Sequence, residues 1–82
     1  MARSYSSIEI ARMTRWKLQN NMKLERARRD LTQEQLAGLV GVTRKTINTI
    51  ERGVFVPSTL LALRIAHALE VDFKDLFYME KE

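Results

Sequence analysis

Arg44, Lys45, Asn48, Thr49 and Arg52 fall within nine residues, and the apolar Ile47 and Ile50 interrupt them at helical spacing. On a helix this pattern turns Ile47, Ile50 and Glu51 inward and leaves guanidinium, ammonium, carboxamide and hydroxyl groups facing out. Such a face can read base edges and hold phosphates. Catalytic chemistry has less to work with, because the one histidine, His67, sits inside a helical pattern and no cysteine or glycine-rich phosphate loop accompanies it. No catalytic residue, metal site or cofactor is therefore predicted.

The elements that must position this face are written into Thr32 to Gly53, TQEQLAGLVGVTRKTINTIERG. Thr32 and Gln35 have the spacing of a capping box, and Leu36, Ala37 and Val40 then share one helical face. Gly41 supplies the left-handed corner, Val42 tucks beneath it, and Thr43 caps a second helix that Gly53 ends. Two short helices around a glycine turn make a helix-turn-helix, which presents its second helix to the major groove of DNA.

The ordered motifs R-x-x-R-x-L-T-Q-E-Q-L-A (Arg26 to Ala37), G-V-T-R-K-T-I (Gly41 to Ile47), I-E-R-G (Ile50 to Gly53), P-S (Pro57, Ser58) and R-I-A-H-A-L-x-V-x-x-x-D-L-F (Arg64 to Phe77) carry a resemblance. Over Met22 to Phe77 the chain resembles the lambda-repressor-like, Cro-type helix-turn-helix regulators, and most of all their small stand-alone members. The resemblance implies that Gln33, Thr43, Thr46 and Arg52 meet phosphates. It implies that Arg44, Lys45 and Thr49 face base edges, with Asn48 at the groove margin. An arginine or lysine there favours guanine, whose O6 and N7 both accept, so G-containing half-sites are expected. Arg26 and Glu51 are implied to form a partly buried ion pair that holds the fold.

The chain departs from that family at Val54, Val56 and Leu60, where polar residues are more usual. Together with Phe55 they predict an apolar cluster beside the recognition helix that calls for a cover. A two-fold partner would set two recognition helices roughly 34–36 Å apart and imply a palindromic operator. The alternative cover is the N-terminal segment, with Trp16 or Met13 folded across the cluster. Tyr78 and Met79 would join either interface.

Eighty-two residues allow one domain with a small core, a size that favours dimerisation. The absence of cysteine excludes a disulfide framework, and with no signal peptide or long apolar run the expected compartment is the cytoplasm. The net charge of +4 is uneven: residues 1–21 hold four basic and one acidic side chain, residues 22–53 seven and four, and residues 54–82 three and five. The basic half thus contains the helix-turn-helix, and the acidic half should face away from phosphate.

The expected organisation is a basic extension over 1–21, a DNA-binding domain over 22–78 and a short tail over 79–82. The extension reads as a short amphipathic basic helix starting near Ser6 or Ser7, able to pack on the body or a symmetry mate, or to bring Trp16 to sugar and phosphate. The domain reads as an all-α fold of five helices, near 22–29, 33–40, 44–52, 58–69 and 73–78, with Ser58 and Asp72 as caps and no strand. Its expected core is Leu24, Ala27, Leu31, Leu36, Ala37, Val40, Val42, Ile47, Ile50, Leu63, Ala66, Leu69, Val71, Leu76 and Phe77. The functional expectation is a homodimeric repressor on double-stranded DNA, without membrane association. The alternative is an antitoxin-like module that binds a toxin and regulates its own operon.

Overall fold

The computed structural model describes residues 3–82, so the first two residues of the N-terminal extension lie outside it. The elements are α1 (Ser7–Thr14), β1 (Trp16–Asn20), α2 (Met22–Arg28), α3 (Gln33–Val40), α4 (Arg44–Glu51), α5 (Thr59–Leu69), α6 (Phe73–Leu76) and β2 (Phe77–Lys81).

Local hydrogen bonding sets most helix starts. Ser6 and Glu9 form a capping box on α1, and Thr32 and Gln35 form one on α3. Thr43 accepts from the Thr46 amide at the start of α4, and Ser58 accepts from the Leu61 amide at the start of α5. Asp72 occupies the expected cap position of α6 but makes no side-chain capping hydrogen bond. Gly41 ends α3 with φ of 78°, the left-handed conformation that a side chain disfavours.

The two strands correct the all-α expectation, while α2 to α6 stand where five helices were expected. The strands pair antiparallel, with Trp16 opposite Lys81 and Asn20 opposite Phe77. The last helix consequently stops at Leu76, and Phe77 continues in extended conformation. Neither segment announces a strand locally, because each is stabilised by a partner from the other end of the chain. Directly opposed residues share a face, so Leu18 and Phe77 turn toward the core while Lys17 stands opposite Glu80 on the other side.

The core lies where α3, α4, α5 and α6 meet the start of α2, and its fully buried side chains are Met22, Leu36, Ile47, Ile50, Ile65, Leu69 and Leu76. Three expected core residues are not in it. Leu24 is 52% exposed and Leu63 is 50% exposed, and Ala27 also faces solvent. Met22, Ala62 and Ile65 are buried in their stead. For Leu63 the cause is visible in α5, TLLALRIAHAL, where apolar residues occupy nearly every side and periodicity does not choose the inward stripe.

Candidate nucleic-acid interface

The corner between α3 and α4 is closed by the backbone, with the Val42 amide donating to the Ala37 carbonyl at 3.0 Å. Directly beyond it, Thr43 Oγ1 accepts from the Thr46 amide at 3.3 Å and lies 3.1 Å from Thr46 Oγ1. The two hydroxyls therefore stand side by side at the start of α4. Arg44, Lys45 and Arg52 are exposed, whereas Thr46, Asn48 and Thr49 are half-buried. The Thr49 hydroxyl donates to the Thr46 carbonyl at 2.9 Å, which leaves its oxygen lone pairs available to a donor from outside.

A polar network fixes this helix relative to the rest. Arg26 reaches from α2 with Nε donating to Glu51 Oε2 at 2.8 Å and Nη2 donating to Glu51 Oε1 at 3.1 Å. Its remaining nitrogen, Nη1, donates to the Leu31 carbonyl at 2.9 Å, so one guanidinium ties α2, the α2–α3 turn and α4 together. The hydrogen bond to Glu51 holds the Arg26 pKa above its ordinary value; burial opposes that shift, and the Glu51 charge adds to it.

Gln33, the first residue of α3, is drawn into the same network. Its amide nitrogen donates to Glu51 Oε1 at 3.1 Å and to Asn48 Oδ1 at 3.4 Å. Arg26, Thr32, Gln33, Glu34 and Arg44 line an open hollow of about 360 Å³ beside it. The start of α3 and the start of α4 thus border one depression.

On the opposite flank, Lys45, Thr46 and Thr49 line a second hollow of about 320 Å³ with Val54 and Phe55. The Val54 and Phe55 amides both donate to the Thr49 carbonyl, at 3.0 and 3.2 Å, which anchors this segment to the end of α4. Val54, Phe55, Val56 and Leu60 are exposed.

Two polar features escaped the sequence. Asn20 Nδ2 donates to the Ile50 carbonyl at 2.9 Å while its Oδ1 accepts from the Met22 amide at 3.1 Å, so β1 holds the last turn of α4. Asn21 Nδ2 donates to the Asp75 carbonyl at 3.0 Å, fastening the start of α2 to α6. No signal in the sequence identifies those long-range acceptors. Glu25, buried between Arg28 and Arg29 at 2.8 and 3.1 Å, was also not singled out, although its i,i+3 and i,i+4 spacing is a local signal that could have found it.

Among the described residues, no cluster of three His, Cys, Asp or Glu side chains is placed to hold a metal, and no helix is long and apolar enough to cross a membrane. His67 is exposed on α5, away from any such group.

A family model described as helix-turn-helix matches residues 22–76. The HTH-type transcriptional regulator YgzD of Bacillus subtilis is 46% identical over 65 residues, covering 79% of this chain and 98% of that protein. Among solved structures, the restriction-modification controller protein C.AhdI from Aeromonas hydrophila is 31% identical with a TM-score of 0.62, over 66% of this chain and 78% of that one. The transcriptional regulator VanUg shares the fold over the whole of both chains, with a TM-score of 0.68 at 22% identity. Taken with the glycine corner, the capped second helix and its basic outer face, these matches show that the chain belongs to the lambda-repressor-like, Cro-type helix-turn-helix family of DNA-binding transcriptional regulators.

Proposed function

We propose that the protein is a cytoplasmic repressor that binds a palindromic operator as a homodimer, with α4 of each copy in the major groove. Arg44, Lys45 and Thr49 read base edges, Asn48 contacts the groove margin, and Gln33, Thr43, Thr46 and Arg52 position the helix on the phosphates. The observation that carries this reading is the outer face of α4, where Arg44, Lys45 and Arg52 stand exposed while Arg26 and Gln33 lock Glu51 behind them. A helix held in place with exposed cationic tips suits base readout, because the helix sets the register and long side chains can adjust to the bases.

The homodimer rests on the exposed Val54, Phe55, Val56 and Leu60 beside that helix. Joining two copies through this cluster brings two recognition helices to one side of the duplex. Selection of bound duplexes from a random pool tests the reading. The expected product is a two-fold symmetric site with G-containing halves spaced by about one helical turn. Recovery of unrelated sequences with no common half-site would overturn specific readout.

A further inference from the structure

Helix α1 is properly capped yet buries none of its residues. Ile10 and Met13, one turn apart, are 50% and 52% exposed, and Trp16 and Met79 are exposed at the far end of the sheet. Eight residues fall short of the roughly 12–15 at which even a favourable isolated helix becomes marginal in water, so α1 calls for a surface to lie on.

The dimensions of the molecule make the same point. A compact monomer of 9.6 kDa exposes about 5,100 Å² by the usual size scaling, whereas this chain exposes 6237 Å². The surplus, on the order of 1,100 Å², exceeds the ~800 Å² that one partner gives to a standard protein interface. It lies in an elongated shape, because the radius of gyration is 15.1 Å where about 12 Å is usual for this length, and the long axis is 46 Å against 24 and 20 Å.

We propose that residues 3–17 form an arm that seats on a second copy of the chain, in the groove between its α3 and α5, with the two copies exchanging arms about a two-fold axis. That groove is an open cleft of about 590 Å³ lined by Leu39, Leu60, Leu63, Arg64 and His67 among others. Leu39, Leu60 and Leu63 are 63%, 58% and 50% exposed, so both surfaces gain a cover in the same step.

Charge disfavours a contact between the two arms. Each arm carries Arg3, Arg12, Arg15 and Lys17 against Glu9, so pairing arms would bring like charges together. The groove itself is lined by Arg64 and no acidic side chain, so the seat is made by apolar contact, Ile10 and Met13 against Leu39, Leu60 and Leu63. Leu60 belongs both to this groove and to the cluster proposed above for the two-fold contact, so arm and cluster make one continuous interface. The arm precedes residues 22–76, the span that the helix-turn-helix family model matches.

This inference rests on the proposed homodimer but not on DNA binding, and it is tested without DNA. The chain has no cysteine, so single thiols introduced at exposed positions report on proximity. Full-length Met13→Cys and Leu63→Cys proteins, mass-tagged differently and oxidised as a mixture, should yield a dimer containing one of each. A symmetric Met13→Cys dimer as the main product, or an intramolecular bond in the Met13→Cys/Leu63→Cys double variant with no dimer, would overturn the exchange. Separately, full-length Ile10→Glu/Met13→Glu should keep its helical circular dichroism while its dimer dissociation constant, read by sedimentation, rises at least tenfold. An unchanged dissociation constant would show that the homodimer exists without the arm, and would leave the proposal overturned while the Val56–Leu60 contact stands. If the parent chain is itself monomeric, both the homodimer and the arm exchange fail.

Discussion

Arg26 of α2 and Glu51 of α4 meet in a two-point contact, 2.8 and 3.1 Å, with side chains only 15% and 6% exposed. Because the pair is almost dry, removing either partner strands a charge, and Arg26→Ala or Glu51→Ala should cost about 3–5 kcal/mol. Urea denaturation measures this, and a loss below about 1 kcal/mol would reduce the pair to a surface contact. Arg26→Lys should recover part of the loss, since an ammonium cannot reproduce the fork. The hydrogen bond to Glu51 raises the Arg26 pKa, so the stabilisation is complete below arginine's ordinary titration range. It should leave only as pH rises through that raised value, beyond the range where tyrosine and lysine titrate.

Gly41 and Gly38 should respond oppositely to alanine. Gly41 has φ of 78° with open space around a would-be Cβ, so Gly41→Ala meets no steric neighbour and should lose about 1–2 kcal/mol from backbone conformation alone. Gly38 sits within α3 with nothing near its would-be Cβ, and Gly38→Ala should gain about 0.5–1 kcal/mol. Thermal unfolding of the two variants side by side is the check, and shifts of the same sign would refute the contrast.

On the preferred duplex, Arg44→Ala should cost about 1–3 kcal/mol and relax preference at one base pair. Gln33→Ala should weaken all duplexes alike. Because its amide also serves Glu51 and Asn48, this second variant should lose roughly 1 kcal/mol of folding stability as well. Binding curves on specific and random DNA separate the two effects, and equal losses for Arg44→Ala would make that side chain a phosphate contact.

Val56 and Leu60 are 66% and 58% exposed, so charged replacements there disturb little packing within one copy. Val56→Asp or Leu60→Asp should leave the monomer helical, split the dimer, and weaken a palindromic site by tenfold or more (about 1.4 kcal/mol) while a single half-site is affected little. Sedimentation combined with binding to both duplexes tests this. A dimer that survives both changes would place the two-fold contact elsewhere.

What the sequence by itself determined is the set of features whose causes are local or carried by an ordered motif. Thr32, Gly41, Thr43 and Ser58 punctuate α3, α4 and α5 through hydrogen bonds and backbone conformations spanning a few residues, so those helices fall within a residue of their expected limits. The motif also carried the Arg26–Glu51 pair, since two groups embedded in one recurrent fold meet wherever that fold forms. Tertiary structure alone decided the sheet, because Trp16–Asn20 becomes a strand only when Phe77–Lys81 arrives from the other end of the chain. It also chose Ile65 over Leu63 for the core, as a helix apolar on nearly every side contains no period to make that choice. Packing likewise turned Gln33 toward Glu51 and Asn20 toward the Ile50 carbonyl, because a polar side chain's partner is set by which distant groups folding leaves within reach.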